Sequence, residues 1–195
     1  MLNDRSSILS LLETRRSAKP RDLVGPGPDA AQLERILTIA ARTPDHGQLF
    51  PWRFVTVADS QRDALAALFQ AALAKEDESA PAAKREKAQA FAHYAGQLVV
   101  LISAPIAGHK IPEWEQELSC GAAGMNLLLA AHALGFVAGW VTGWYAYSEE
   151  VRAAFCGPGE RIAGFVFIGQ PSNEIEERPR APLSTVWRPW NAPRP

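Results

Sequence analysis

Cysteine is scarce in this chain: two in 195 residues, Cys120 and Cys156. Neither belongs to a CxxC pair, which leaves a disulfide framework, a structural zinc or a dithiol redox pair without support. A reducing compartment is expected. Long hydrophobic runs are also missing. The stretch Met125 to Ala138 is too short and too interrupted to span a bilayer. No apolar run follows a basic start at the N-terminus, so no signal peptide is expected. These absences point to a soluble cytoplasmic protein with no membrane partner.

Charge of one sign is not in excess: 20 Lys and Arg against 21 Asp and Glu leave a net charge of −1. A generalised nucleic-acid surface needs a strong cationic surplus, so no nucleic-acid partner is expected. No GxGxxG follows a strand pattern and no GxxxxGK[ST] occurs, which removes the nicotinamide Rossmann and P-loop readings. HExxH and ExxH pairs are absent as well, so HKIPEWEQE, His109 to Glu117, lacks metal-ligand spacing and no metal is expected. No repeat and no linker interrupts the chain, and residues 1–195 read as a single domain.

What the chain does have is apolar content, 47% of its residues, enough for a full core. A first helix is predicted from about Ser6 to Arg15. Asp29, with Gln32 three residues on, caps a second helix whose stripe is Leu33, Ile36, Leu37, Ala40 and Ala41. Arg53 to Val57 reads as a strand, and Ser60 as the cap of a third helix. Residues 75–89 read as a solvated helical stretch. QLVVLIS, Gln97 to Ser103, and RIAGFVFI, Arg161 to Ile168, read as strands buried on both faces. Between them Pro112 opens a long helix that stops at Gly135, and Ser148 starts a shorter one. The tail from Pro171 is rich in proline, arginine and tryptophan and is expected to wrap over something. Helices and strands mix without a strict βαβ rhythm, which favours an α+β layered domain.

Four stretches carry chemistry. LLETRRSAKP ends a helix in Arg15, Arg16, Ser17 and Lys19. Two guanidinium forks, a hydroxyl and an ammonium suit a phosphate, yet cations also gather at helix C-termini to meet the negative pole. ERPRAPL supplies a second pair, Arg178 and Arg180, either a solvated coil or a partner in holding the same anion. TPDHGQLFPW places His46 in a loop, where an isolated histidine is more often a surface residue than a base. AHALGFVAGWVTGW joins glycines, which let a backbone approach a flat ligand, to tryptophans, which can wall one. It reads equally as a glycine-rich turn.

The order of RRSAK, TPDHGQLFPWRF, HKIPEWEQELSCGAAGMNLLLAAHALGF, GWVTGW and FVFIGQP resembles the FMN-dependent nitroreductase family, above all its small YdjA-type members. The resemblance covers nearly the whole chain. It implies a three-layer α+β sandwich, a mostly antiparallel sheet flanked by helices, in an interlocked homodimer with FMN at the subunit interface. It implies an oxidoreductase that passes hydride from NAD(P)H through the flavin N5 to nitroaromatic or quinone-like small-molecule acceptors, with no catalytic side chain. An FMN-binding or redox-sensing module with little turnover, or other flavin chemistry, is the alternative. By position, Arg15, Arg16 and Ser17 fall at the flavin phosphate and ribityl chain, and Lys19 near the pyrimidine edge. Arg42 and His46 match contacts donated by the partner chain. Gly139, Trp140, Val141 and Thr142 match the segment along the isoalloxazine, although YdjA-type members are more polar at Val141 and Thr142. Arg178 and Arg180 resemble a C-terminal basic pair typical of the broader family. The small-residue run CGAAG, Cys120 to Gly124, suits a close-packed central helix.

Overall fold

The structure, a computed structural model, describes residues 1–192. Helix α1 (Ile8–Thr14) is capped by the Ser7 hydroxyl and is shorter than predicted. A 3-10 turn over Pro20–Asp22 leads to a short strand, β1 (Leu23–Val24). Helix α2 (Ala30–Ala40) starts with the expected capping box of Asp29 and Gln32. Strand β2 (Trp52–Val57) follows the PDHGQLFP loop.

Ser60 does not cap the next helix. It sits inside a 3-10 turn, Asp59–Gln61, and α3 (Arg62–Glu76) begins beyond it without a side-chain cap. The charged stretch 75–89 is not one solvated helix either. It is broken around residues 77–81 and resumes as α4 (Ala82–Ala92), which buries Ala88, Phe91 and Ala92. Strand β3 (Gln97–Ser103) has the predicted bounds, and α5 (Glu113–Ala133) follows. Pro112 is the N-cap of α5 rather than its first residue, and Gly135 takes φ +94° just past its end, as a helix-terminating glycine should.

The stretch with three glycines after α5 is not a turn. Residues Val137–Val141 form strand β4, followed by one helical turn, α6 (Trp144–Tyr147). Helix α7 (Glu149–Phe155) starts at the Ser148 cap, β5 (Arg161–Pro171) runs longer than predicted, and α8 (Leu183–Val186) lies in the tail.

All strand pairs are antiparallel. The sheet order is β1-β5-β3-β2, and β4 pairs with β5. Alternate residues of the central strands feed separate cores, as the two-residue pleat requires. Leu98, Val100, Ile102, Phe165 and Phe167 face α3, α4 and α6. Val99, Val166 and Ile168 face α2 and α5. The result is a helix–sheet–helix sandwich, which agrees with the fold expected from the sequence. Among the described residues no helix is long and apolar enough to cross a membrane.

Candidate functional site

The RRSAK segment leaves α1 at Arg15, whose N–H still donates to the Leu11 carbonyl at 2.8 Å. The last turn of α1 holds no cation and Arg15 is its C-cap, so the helix pole accounts for Arg15 at most and not for Arg16 and Lys19. Past that point the backbone of Arg16 is fixed from both sides. Its N–H donates to the Asn3 side-chain oxygen at 2.8 Å, and its carbonyl lies 3.2 Å from Nε2 of buried His132 on α5. Burial lowers the pKa of His132, against the two carbonyls at its ring nitrogens, which raise it. The other ring nitrogen, Nδ1, lies 2.7 Å from the Leu128 carbonyl.

With the backbone held, the side chains gather. The Arg15 guanidinium donates to the Ser17 hydroxyl at 3.2 Å. Arg16 donates to the Ser17 carbonyl at 2.8 Å, and its buried Nε has no hydrogen-bond partner. The tail returns to this point, where Arg180 donates to the Arg15 carbonyl at 3.3 Å and to Glu177 at 2.9 Å. Glu177 also pairs with Arg16 at 3.8 Å. Two guanidinium groups, those of Arg16 and Arg180, thus meet one carboxylate, with Arg15 beside them. The pKa of Arg15 is lowered, first by burial and then by repulsion from Arg180 and Arg16. This end of the groove is short of negative charge. A groove of about 450 Å³ runs on from it, lined by Arg16, Ser17, Lys19, Arg178 and the acids Asp22, Glu174, Glu176 and Glu177. The structure therefore brings both cationic pairs together, although their residues lie more than 160 positions apart (|i−j| = 165 for Arg15 and Arg180).

Lys19 also lines a second cavity of about 590 Å³, on the α4 side of the sheet. Its floor and walls are Phe91, Tyr94, Val141, Thr142, Gly143, Trp144 and Tyr145. The aromatic rings support one another: Phe91 and Tyr145 stack at 4.4 Å and 15°, and Trp144 lies 4.4 Å from Tyr145.

Two expectations about β4 need correction. The missing side chain of Gly139 does not leave room for a flat ligand, because a Cβ there would meet the Ala18 carbonyl oxygen at 2.5 Å. That glycine lets RRSAKP lie across β4. The indole of Trp140 does not wall the cleft either. It points to the opposite face of the sheet, where a Cβ on Gly124 or Gly164 would strike its ring at 2.6 and 2.0 Å, and its Nε1 donates to the Ala163 carbonyl at 3.0 Å. The small residue Gly124 of CGAAG thus makes room for Trp140 within the chain. Trp144, four residues on, is the tryptophan that lines the cleft.

Arg42 and His46 line neither cavity. The Arg42 carbonyl accepts from Asn126 at 3.3 Å, and His46 Nδ1 lies 2.8 Å from Glu115, both on α5. The sequence reading missed Asn3, His132, Glu177 and the α4 residues of the cleft. Only Phe91 and Tyr94 carried a signal, as apolar residues closing a charged helix.

Comparison with known proteins gives a consistent result. The sequence model of the Nitroreductase family matches residues 12–170. The chain is 39% identical over 176 residues to a Haemophilus influenzae protein named "Putative NAD(P)H nitroreductase", spanning 88% of this chain and 92% of that one. It is 36% identical over 166 residues to the Escherichia coli K12 protein named "Putative NAD(P)H nitroreductase YdjA", spanning 84% and 87%. Among solved structures, a nitroreductase-like protein from Bacillus cereus superposes with a TM-score of 0.81 at 20% identity, over 94% of this chain and 95% of that one. A nitroreductase with bound FMN from Bacteroides fragilis superposes at 0.66 and 22% identity, over 90% and 95%. At such identities the likeness speaks for the fold alone.

Proposed function

The chain belongs to the Nitroreductase family, and from that premise we propose that it is a single-domain, cytoplasmic, FMN-dependent oxidoreductase. It takes hydride from NAD(P)H and delivers it to a nitroaromatic or quinone-like acceptor, donor and acceptor using one site in turn. The observation that carries this reading is an arginine cluster at the end of one groove and an aromatic cleft beside it, joined at Lys19.

The residues fit FMN on the chemistry of their donors. An orphaned, buried Arg16 Nε and a crowded Arg15 call for an anion with several acceptor oxygens. Arg15, Arg16 and Ser17, with Arg178 and Arg180, would hold the phosphate. Val141 and Thr142, at the end of β4, would lie along the ring system, and Lys19 would face its polar edge. Bound flavin supplies the hydride relay between donor and acceptor. The chain's part is to anchor, to orient and to keep water from one face. Lys19 adds a positive charge beside the site, where negative charge develops on reduction.

A homodimer is part of the proposal. On α5, Trp114, Leu118 and Met125 form an exposed apolar stripe at helical spacing, and Ile8, Leu9 and Leu12 of α1 are exposed as well. A second copy would cover such surface, and Arg42 and His46 beside α5 would then reach the partner's site.

The test is an absorption spectrum of the purified protein, then anaerobic addition of NADH or NADPH, with size-exclusion chromatography alongside. The expected results are a flavin spectrum, bleaching on addition, and a dimer. A colourless protein that takes up no added FMN would overturn the reading.

A further inference from the structure

The cleft carries more positive charge than the flavin reading uses. Four cations line it, Lys19, Arg21, Lys84 and Lys87, and no carboxylate does. They differ in how far their charge is already met. Lys84 pairs with Asp77 at 3.0 Å, and that contact holds the Asp77 carboxyl below its usual range. Arg21 lies 3.7 Å from Asp22. Lys19 and Lys87 make no ion pair among the described residues. Lys19 is assigned above to the flavin edge, so Lys87 is left over. Its position is not accidental to the fold. Lys84, Lys87 and Phe91 share one face of α4 at three- and four-residue spacing, and Tyr94 follows three residues later. The helix buries Ala88 and Phe91 and thereby aims the two lysines at the mouth of an apolar, aromatic-floored cavity.

We propose that the electron acceptor of this enzyme is an anionic aromatic compound, a nitroaromatic or quinone ring bearing a carboxylate or sulfonate, and that Lys87 selects it. The ring lies against the apolar cleft and the anion meets Lys87 at the rim. A neutral acceptor of the same shape gains only the first contact. Lys84 contributes less, because Asp77 already holds it. The inference rests on the oxidoreductase reading above and deepens it.

The test uses two acceptors of similar size and ring electronics, 4-nitrobenzoate and 4-nitrobenzyl alcohol. Calorimetric titration of each into the protein as purified, without NAD(P)H, gives affinities that do not depend on turnover. Steady-state kcat/KM gives the second readout. At low salt the anion should be favoured about tenfold, an electrostatic preference that shrinks in 0.5 M salt to roughly twofold. Lys87→Gln should remove most of the preference, Lys87→Glu should invert it, and Lys84→Gln should lower it by less than Lys87→Gln does. Equal binding of the two compounds, or an anion preference that survives Lys87→Glu, overturns the proposal. So does a Lys87→Gln enzyme whose acceptor preference is intact while its NADPH-to-NADH ratio falls, since the charge then serves the donor's extra phosphate. Failure of NAD(P)H to bleach the protein would instead refute the oxidoreductase reading, with the binding titration still deciding for or against Lys87.

Discussion

The groove and the cleft share Lys19 and little else. The groove is built mainly from coil at opposite ends of the chain, residues 16–19 and 173–178, and is lined by charges of both signs. The cleft is built from α4, β4 and α6 and carries one sign over packed aromatic rings. One site depends on the exact placement of two coil segments, the other on elements fixed by the core. The groove should therefore be the fragile partner: sensitive to local backbone shifts, to salt and to pH. The shape of the cleft should tolerate all three better, since it is set by rings in mutual contact, and only the selection by charge at its rim should respond to salt.

The largest test of that contrast is Gly139→Val. Its side chain would enter the space of the Ala18 carbonyl, 2.5 Å from the first added carbon. Displacing RRSAKP should cost about 2–4 kcal/mol in chemical denaturation and should abolish groove binding of FMN in a difference-absorbance titration. A variant of native stability and affinity would mean that the groove is not held by β4.

Arg15→Ala comes next. It removes one of three neighbouring guanidinium groups, and the charge-assisted contacts at stake correspond to about 10- to 100-fold in FMN affinity. Dialysis followed by an absorption spectrum reads it directly, and full retention of colour would contradict the assignment.

Acid should loosen the groove before the cleft. His132 has its native pKa lowered from the ordinary 6.5, mainly by burial. The unfolded chain then binds the proton first, so stability is complete above pH 6.5 and falls below it, by up to about 1.4 kcal/mol per pH unit until the native pKa is reached. His132→Gln should flatten that part of the pH–stability curve, and an unchanged slope would assign it to other groups.

The smallest effect is expected for Glu177→Gln. Glu177 sits on the arginines that a phosphate would use. Removing its half-exposed charge should tighten FMN binding about 2- to 5-fold, in line with an exposed ion pair. A weaker complex would show that Glu177 organises the arginines rather than competing for them.

The same contrast explains what could be read from the sequence. Helices α2, α5 and α7 announced themselves through Asp29 with Gln32, the acids after Pro112, and Ser148, all local signals within one turn. Strand β3 announced itself through an unbroken apolar run. Strand β4 did not, because its glycines serve distant neighbours: Gly139 yields to Ala18, and no local pattern records that. The cationic residues of the groove were legible as residue types, and their meeting was not, since Arg180 reaches Arg15 only through the path of the tail. In the cleft, the sequence offers Trp140 and Trp144 alike as walls, because tryptophan beside glycine looks like a ligand site. The pleat sends Trp140 to the far face and leaves Trp144 in the role. Lys84 and Lys87 looked like ordinary solvated helix residues until α4 was seen to pack against the sheet.

The indole of Trp140, lying where side chains of Gly124 and Gly164 would otherwise be, has a consequence for how this sequence can change. The three positions form a single volume, filled once. Enlarging Gly124 while the tryptophan stays is blocked, and shrinking the tryptophan alone leaves a void, so each of these two changes is harmful by itself and better tolerated together; Gly164, at φ +157°, resists a side chain in either case. Among homologues positions 124 and 140 are expected to covary, trading a bulky residue on β4 for bulk on α5.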